Sequence, residues 1–147
     1  MDISETFVEI AQRKASADRV TAQFELGNAA ALPVEDGSVD FVVCRAAFKN
    51  FADPVKALVE MRRVLRPGGQ ALLIDMRRDV TPPELKQYVN GLGVGWLSRW
   101  LVMMVFRHSL VKRAYLGKEI GQMAAEAGWN QPRIEPTPIG FEAWMTR

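Results

Sequence analysis

Residues 41–76 read FVVCRAAFKNFADPVKALVEMRRVLRPGGQALLIDM, and this stretch decides the fold. Residues 39–45 (VDFVVCR) and 70–76 (QALLIDM) are short, nearly continuous apolar runs. Such runs mark strands covered on both faces, as in a parallel sheet flanked by helices. Between them Asp53 can cap a helix with Pro54 at its first position, and Pro67, Gly68 and Gly69 form a turn before the second strand. Val55, Leu58, Val59, Met61, Val64 and Leu65 give that helix a broad apolar face, while Lys56, Glu60, Arg62, Arg63 and Arg66 can reach water. A β-α-β unit with a right-handed crossover and two parallel strands is expected.

Upstream, Ser4 can cap a first helix in which Phe7, Ile10 and Ala11 make a narrow buried stripe. Residues 19–26 (RVTAQFEL) alternate well enough for a strand ending at Gly27. Downstream, Pro82 and Pro83 start a helical segment to about Asn90, glycines 91, 93 and 95 loosen the chain, and residues 96–115 are again helix-like. That last segment holds Trp96, Trp100 and a dense set of Leu, Val, Met and Phe, more apolar surface than one sheet-facing stripe needs. Residues 84–115 are therefore read as a helical insertion or lid that a substrate or a second copy would cover. Residues 117–127 form a further helix stopped by Gly128, and residues 132–138 and 141–146 an antiparallel pair whose first strand lies at an edge because of its prolines.

The chain has 147 residues, 48% hydrophobic and 24% charged, which suits one globular domain. A net charge of +2 with largely dispersed basic residues gives no reason to expect nucleic acid as a partner. Cys44, the single cysteine, sits in an apolar run and reads as a buried thiol. Glu35, Asp36 and Asp40 have no nearby histidine and do not form a metal-ligand pattern. The N-terminal residues MDISETFVEIAQRK contain no continuous apolar core, so no secretory leader is read there and a cytoplasmic location is expected. Residues 92–111 are interrupted by Arg99, Arg107 and His108, so a membrane span is not expected, and peripheral membrane contact ranks behind a homodimer.

Four segments, DISETFVEIAQRKA, FELGNAAALPVEDGSVDFVV, RAAFKNFADPVKALVEMRRVLRPGG and AYLGKEIGQMAAEAGW, resemble in order and spacing the class I S-adenosylmethionine-dependent methyltransferases. Within them the chain is most similar to the small-molecule group of ubiquinone and menaquinone biosynthesis methyltransferases. The resemblance implies a truncated Rossmann-like α/β fold: a mostly parallel sheet with helices on both faces and a C-terminal antiparallel strand pair. It implies transfer of a methyl group from S-adenosylmethionine to a small apolar or aromatic acceptor.

The same resemblance implies the site. Asp2 matches the acidic residue that binds the ribose hydroxyls, and Ile3 the apolar residue beside adenine. Gly27, Asn28 and Ala29 match a Gly-Asp-Ala segment, with the Asn28 amide in place of the carboxylate. Arg45 matches the end of a strand where cofactor and acceptor meet, and Phe48 and Asn50 the loop that follows. Trp96 and Trp100, one turn apart, are candidates for a hydrophobic acceptor wall or a dimer contact, and His108 for packing or acceptor contact. Asp75, at a strand end, is a further candidate for approaching the acceptor. No catalytic residue is assigned, because positioning and exclusion of water can supply much of the rate of methyl transfer.

One element of the family pattern is missing from these residues: the first strand with its glycine-rich loop. Gly91 and Gly93 follow no strand and do not replace it. Cofactor binding by this chain is therefore expected to be weak or absent. A noncatalytic dimer or assembly protein built from the same sheet is the alternative, because the family's strand order would leave one strand edge unprotected.

Overall fold

Leu65, Ala71, Leu73 and Asp75 alternate along the longest strand of the protein, and their burial fixes the layering. The computed structural model describes residues 1–147 except Val94 and the side chains of Arg107 and His108. Strand β1 (Val39–Arg45), helix α2 (Pro54–Val64) and strand β2 (Leu65–Met76) form the expected β-α-β unit, and β1 and β2 are parallel. Helix α1 (Glu5–Ala17) precedes them. Helices α3 (Pro82–Gly91), α4 (Trp96–Val105), a π-helical turn (Phe106–Leu110) and α5 (Val111–Arg113) follow. Helix α6 (Gly117–Glu126) and strands β3 (Arg133–Pro136) and β4 (Gly140–Thr146) complete the chain.

The sheet order is β1-β2-β4-β3, with β4 antiparallel to both of its neighbours. The C-terminal pair is thus as expected, with the proline-bearing β3 on the edge. One face of the sheet, carrying Cys44, Ala71, Leu73, Phe141, Ala143 and Met145, packs into a core with Leu58 and Met61 of α2 and Ile120 and Ala124 of α6. Trp129 closes this layer by donating its indole N–H to the Leu58 carbonyl at 3.1 Å. Truncating a side chain at the centre of such a layer costs about 2–5 kcal/mol, so Leu73, fully buried, is a position the fold depends on.

Local signals behave as their chemistry requires. Asp53 accepts the Lys56 amide at the start of α2, Ser4 caps α1 through the Phe7 amide, and Thr81 and Glu84 form a capping box on α3. Gly128 adopts φ +83° just after α6, the left-handed stop expected of it.

Four expectations fail. Residues 20–25 form no strand; a lone parallel bridge joins Leu26 to Asp2, too little partner backbone to hold a ladder. Helix α1 buries no residue, and Phe7 is 62% exposed. The outer face of β1 is likewise uncovered, with Phe41 and Val43 47% and 58% exposed. Finally, Pro67, Gly68 and Gly69 do not precede β2 but lie inside it as an irregularity: Val39 pairs with Leu65 and Phe41 with Gln70. A Cβ on Gly69 would come within 3.0 Å of the Asp40 carbonyl oxygen, so the close approach of β1 requires glycine there.

Candidate functional site

The two segments expected to hold the nucleoside, 25 residues apart in sequence, meet in space. The Asp2 amide donates to the Glu25 carbonyl at 3.2 Å, and the Gly27 amide donates back to the Asp2 carbonyl at 2.9 Å. This parallel bridge places Asp2 and Ile3 beside Gly27, Asn28 and Ala29. Asp2 is exposed, and one carboxylate oxygen accepts the Ser4 amide at 2.8 Å, which orients it and leaves further acceptor capacity. Ile3 is 76% exposed, an apolar side chain without a protein partner layer. The Asn28 side-chain oxygen accepts the Ala30 amide at 2.9 Å, closing an Asx turn. The Asn28 oxygen is therefore shared with the backbone, which leaves it one further lone pair for a ligand.

An ion-paired clamp attaches the following loop to the sheet layer. Arg63 donates to both Glu60 carboxylate oxygens at 2.8 Å, to Asp36 at 2.5 Å, and to the carbonyls of Val34 and Leu32. Glu60 in turn accepts the Leu32 amide at 2.8 Å. Hydrogen bonding from Arg63 holds the Glu60 carboxyl below the usual carboxylate range, with smaller help from the Leu32 amide against the cost of burial. Glu60 and Arg63, on the face of α2 that reaches water, also fix residues 32–36 to that helix.

A second group lies at the carboxyl ends of the parallel strands. Arg45 ends β1 exposed, and Ala46 then takes φ +57°, a left-handed conformation that costs a non-glycine residue about 1 kcal/mol or more. The Ala46 amide donates to the Ile74 carbonyl at 2.8 Å, holding this turn against β2. Asn50 is exposed on the short 3₁₀ turn Phe48–Asn50. Phe48, expected near the acceptor, is instead wholly buried, its ring 5.5 Å from Phe51 and 5.8 Å from Tyr115. It is a core side chain, and it anchors the loop from beneath.

Asp75 is also turned inward. Its carboxylate accepts the Lys49 ammonium at 2.8 Å, the Lys49 amide at 3.1 Å and the Met76 amide at 2.8 Å. The Lys49 ammonium donates as well to the Ala46 carbonyl at 2.9 Å. Asp75 thus has no unsatisfied role toward an acceptor; it ties the loop after β1 to β2. Beside it, Cys44 is buried, and burial first and the Asp75 charge second push its thiol up to about 11, which suits an inert thiol.

Trp96 and Trp100 share one side of α4 as the spacing required, but both are exposed, at 80% and 61%. The side chain of His108 lies outside the described residues. Two cavities, of about 440 and 500 Å³, open elsewhere: one beside Arg77, Lys118 and Ile134, the other beside Glu84, Tyr88 and Leu92. Neither is lined by an expected cofactor residue. Among the described residues no group of acidic, cysteine or histidine side chains could hold a metal ion, and no helix is long and apolar enough to cross a membrane.

Against S-adenosylmethionine the residues present fit one end of the molecule. Asp2 suits the ribose hydroxyls, and Ile3 with the 27–29 turn suits adenine. No glycine-rich strand-to-helix loop occurs in these residues to receive the methionine end.

Comparisons agree with this architecture. A methyltransferase domain family model matches residues 1–73. Demethylmenaquinone methyltransferase of Deinococcus radiodurans is 42% identical over 74 residues, covering 50% of this chain and 31% of that protein. An uncharacterized methyltransferase of Bacillus subtilis is 37% identical over 157 residues, covering 100% of this chain and 54% of that protein. The chain thus spans between about a third and a half of these curated relatives. Among solved structures, a SAM-dependent methyltransferase from Aquifex aeolicus superposes with a TM-score of 0.74 at 18% identity, covering 98% of this chain and 65% of that one, a likeness of fold. With its family-type β-α-β unit, its strand order and these matches, the chain belongs to the class I S-adenosylmethionine-dependent methyltransferases, related to the demethylmenaquinone methyltransferases.

Proposed function

We propose that the protein acts in methyl transfer from S-adenosylmethionine to a small apolar or aromatic acceptor. The observation that supports this reading is the backbone bridge that brings Asp2 and Ile3 beside residues 27–29, two distant segments that would share one nucleoside. Bound by Asp2, Ile3 and residues 27–29, S-adenosylmethionine would supply an electrophilic methyl group to an acceptor oxygen, nitrogen or carbon. The chain's own part is positional: Asp2, Ile3 and residues 27–29 would hold the nucleoside, with Arg45 at the end of β1 and Asn50 on the 3₁₀ turn that follows. The similarity to demethylmenaquinone methyltransferases supports an apolar or aromatic acceptor.

Calorimetric titration with S-adenosylmethionine and S-adenosylhomocysteine tests this reading. With no glycine-rich loop for the methionine end, weak binding through the nucleoside is expected, and Asp2→Ala should abolish it, as for a charged hydrogen-bond partner. Binding unchanged in both Asp2→Ala and Asn28→Ala would sink the site assignment. The second reading, a noncatalytic dimer or assembly protein, is favoured by one observation: the outer edge of β1 pairs with no described strand. Stable assembly with no nucleoside binding at any concentration would select it.

A further inference from the structure

Helix α4 turns its most apolar face to water. At 3.6 residues per turn, Trp96, Leu97, Trp100, Leu101, Met104 and Val105 occupy one continuous half of the helix, and all six are exposed. The opposite side does the packing: Val102 and Met103 are half-buried, and Phe106 just beyond sets its ring 6.0 Å from Tyr88. An amphipathic surface helix ordinarily has this arrangement reversed. An exposed apolar band of this kind marks a contact surface.

Charge identifies what it contacts. From Leu85 to Lys118 the sequence contains no Asp or Glu, while Lys86, Arg99, Arg107, Lys112, Arg113 and Lys118 are cationic. Of these, Lys86, Arg99, Lys112, Arg113 and Lys118 are exposed. A run of 34 residues with six cations and no acid, in a chain whose net charge is +2, gives the α3–α6 segment a positive character that disfavours pairing of two copies through it. A bilayer carrying anionic headgroups satisfies both properties at once: the acyl boundary receives the Trp, Leu and Met side chains, and the phosphates receive the lysines and arginines. At 10 residues α4 is about 15 Å long, far short of a bilayer core, so it would lie along the surface rather than cross it.

We infer that α4 and its basic flanks dock this protein onto an anionic lipid surface, with Trp96 and Trp100 at headgroup depth. The inference stands apart from the methyl-transfer reading, since neither lipid contact nor its test requires cofactor. The test is sedimentation of the protein with vesicles of phosphatidylcholine alone and of phosphatidylcholine mixed with phosphatidylglycerol, with tryptophan emission recorded in parallel. Binding to the anionic vesicles only, weakening as salt rises, with a blue-shifted emission, is expected. Trp96→Ser/Trp100→Ser should abolish the emission shift and weaken binding, and Lys112→Glu/Arg113→Glu should weaken binding about tenfold or more while leaving the far-ultraviolet circular dichroism unchanged. Equal binding to both vesicle types, binding to neither, or α4 amides protected by self-association in the absence of lipid would each overturn the proposal.

Discussion

The Lys49 ammonium lies 2.8 Å from an Asp75 carboxylate oxygen, and the two side chains are only 5% and 2% exposed. The pair joins the loop after β1 to the end of β2. Removing one partner leaves a buried charge uncompensated, which typically costs about 3–5 kcal/mol, whereas replacing both by apolar groups costs far less. Lys49→Met and Asp75→Asn should each lower the urea midpoint sharply, and Lys49→Met/Asp75→Leu should be more stable than the sum of the single changes predicts. Additive losses would show that the pair is not coupled.

Cys44 gives a prediction in pH. Its thiol is raised from 9.0 to about 11 by burial and then by Asp75, so folding favours the neutral form. The sign follows: this contribution to stability is complete below about 9 and is lost as pH rises toward 11. Native protein should resist iodoacetamide at neutral pH and label rapidly once unfolded in urea. Rapid labelling of the native form would place Cys44 in an accessible setting.

Both results bear on how far the sequence could be read. The β-α-β unit was legible because Asp53, Pro54 and the two apolar runs all act within a few residues of themselves. The Lys49–Asp75 pair was legible only in part: Asp75 shares strand parity with Ala71 and Leu73, so an acid on the buried face calls for a cation, but nothing local says that Lys49 supplies it. The strand expected over residues 19–26 failed for the converse reason, since alternation describes a strand's faces and cannot supply the neighbour that holds it. The resemblance put Phe48 on the loop near the acceptor; the contacts that make it core come from Phe51 and Tyr115.

Arg63 spans Glu60, Asp36 and two carbonyls of the 32–36 segment, a fork that lysine cannot reproduce. Arg63→Lys should therefore release this segment nearly as fully as Arg63→Ala, seen as faster amide exchange at residues 32–36 with the sheet core unchanged. Because Glu60 is held below its usual range, its stabilising contribution is present above the ordinary carboxylate pKa and is lost only as pH falls through the lowered value. The segment should accordingly stay protected under mild acid and open at lower pH; protection that Arg63→Lys preserves in full would refute the clamp.

Strand β1 is bonded to β2 on one side, and no described strand occupies its other edge. Its sequence, VDFVVCR, carries no proline and only one acid, and Phe41 and Val43 are exposed on its uncovered face, where the Phe41 ring lies 6.3 Å from that of Trp144. An edge with these properties pairs with another backbone when one is offered. Self-association through β1 is the expected consequence, and it is separate from the cationic α4 face. Sedimentation equilibrium should show dimer increasing over the micromolar range. A lysine at an exposed edge position discourages such pairing, so Val43→Lys should shift the equilibrium to monomer without unfolding the core. A protein that remains monomeric throughout, or a Val43→Lys variant that still dimerises, would remove β1 as the pairing edge.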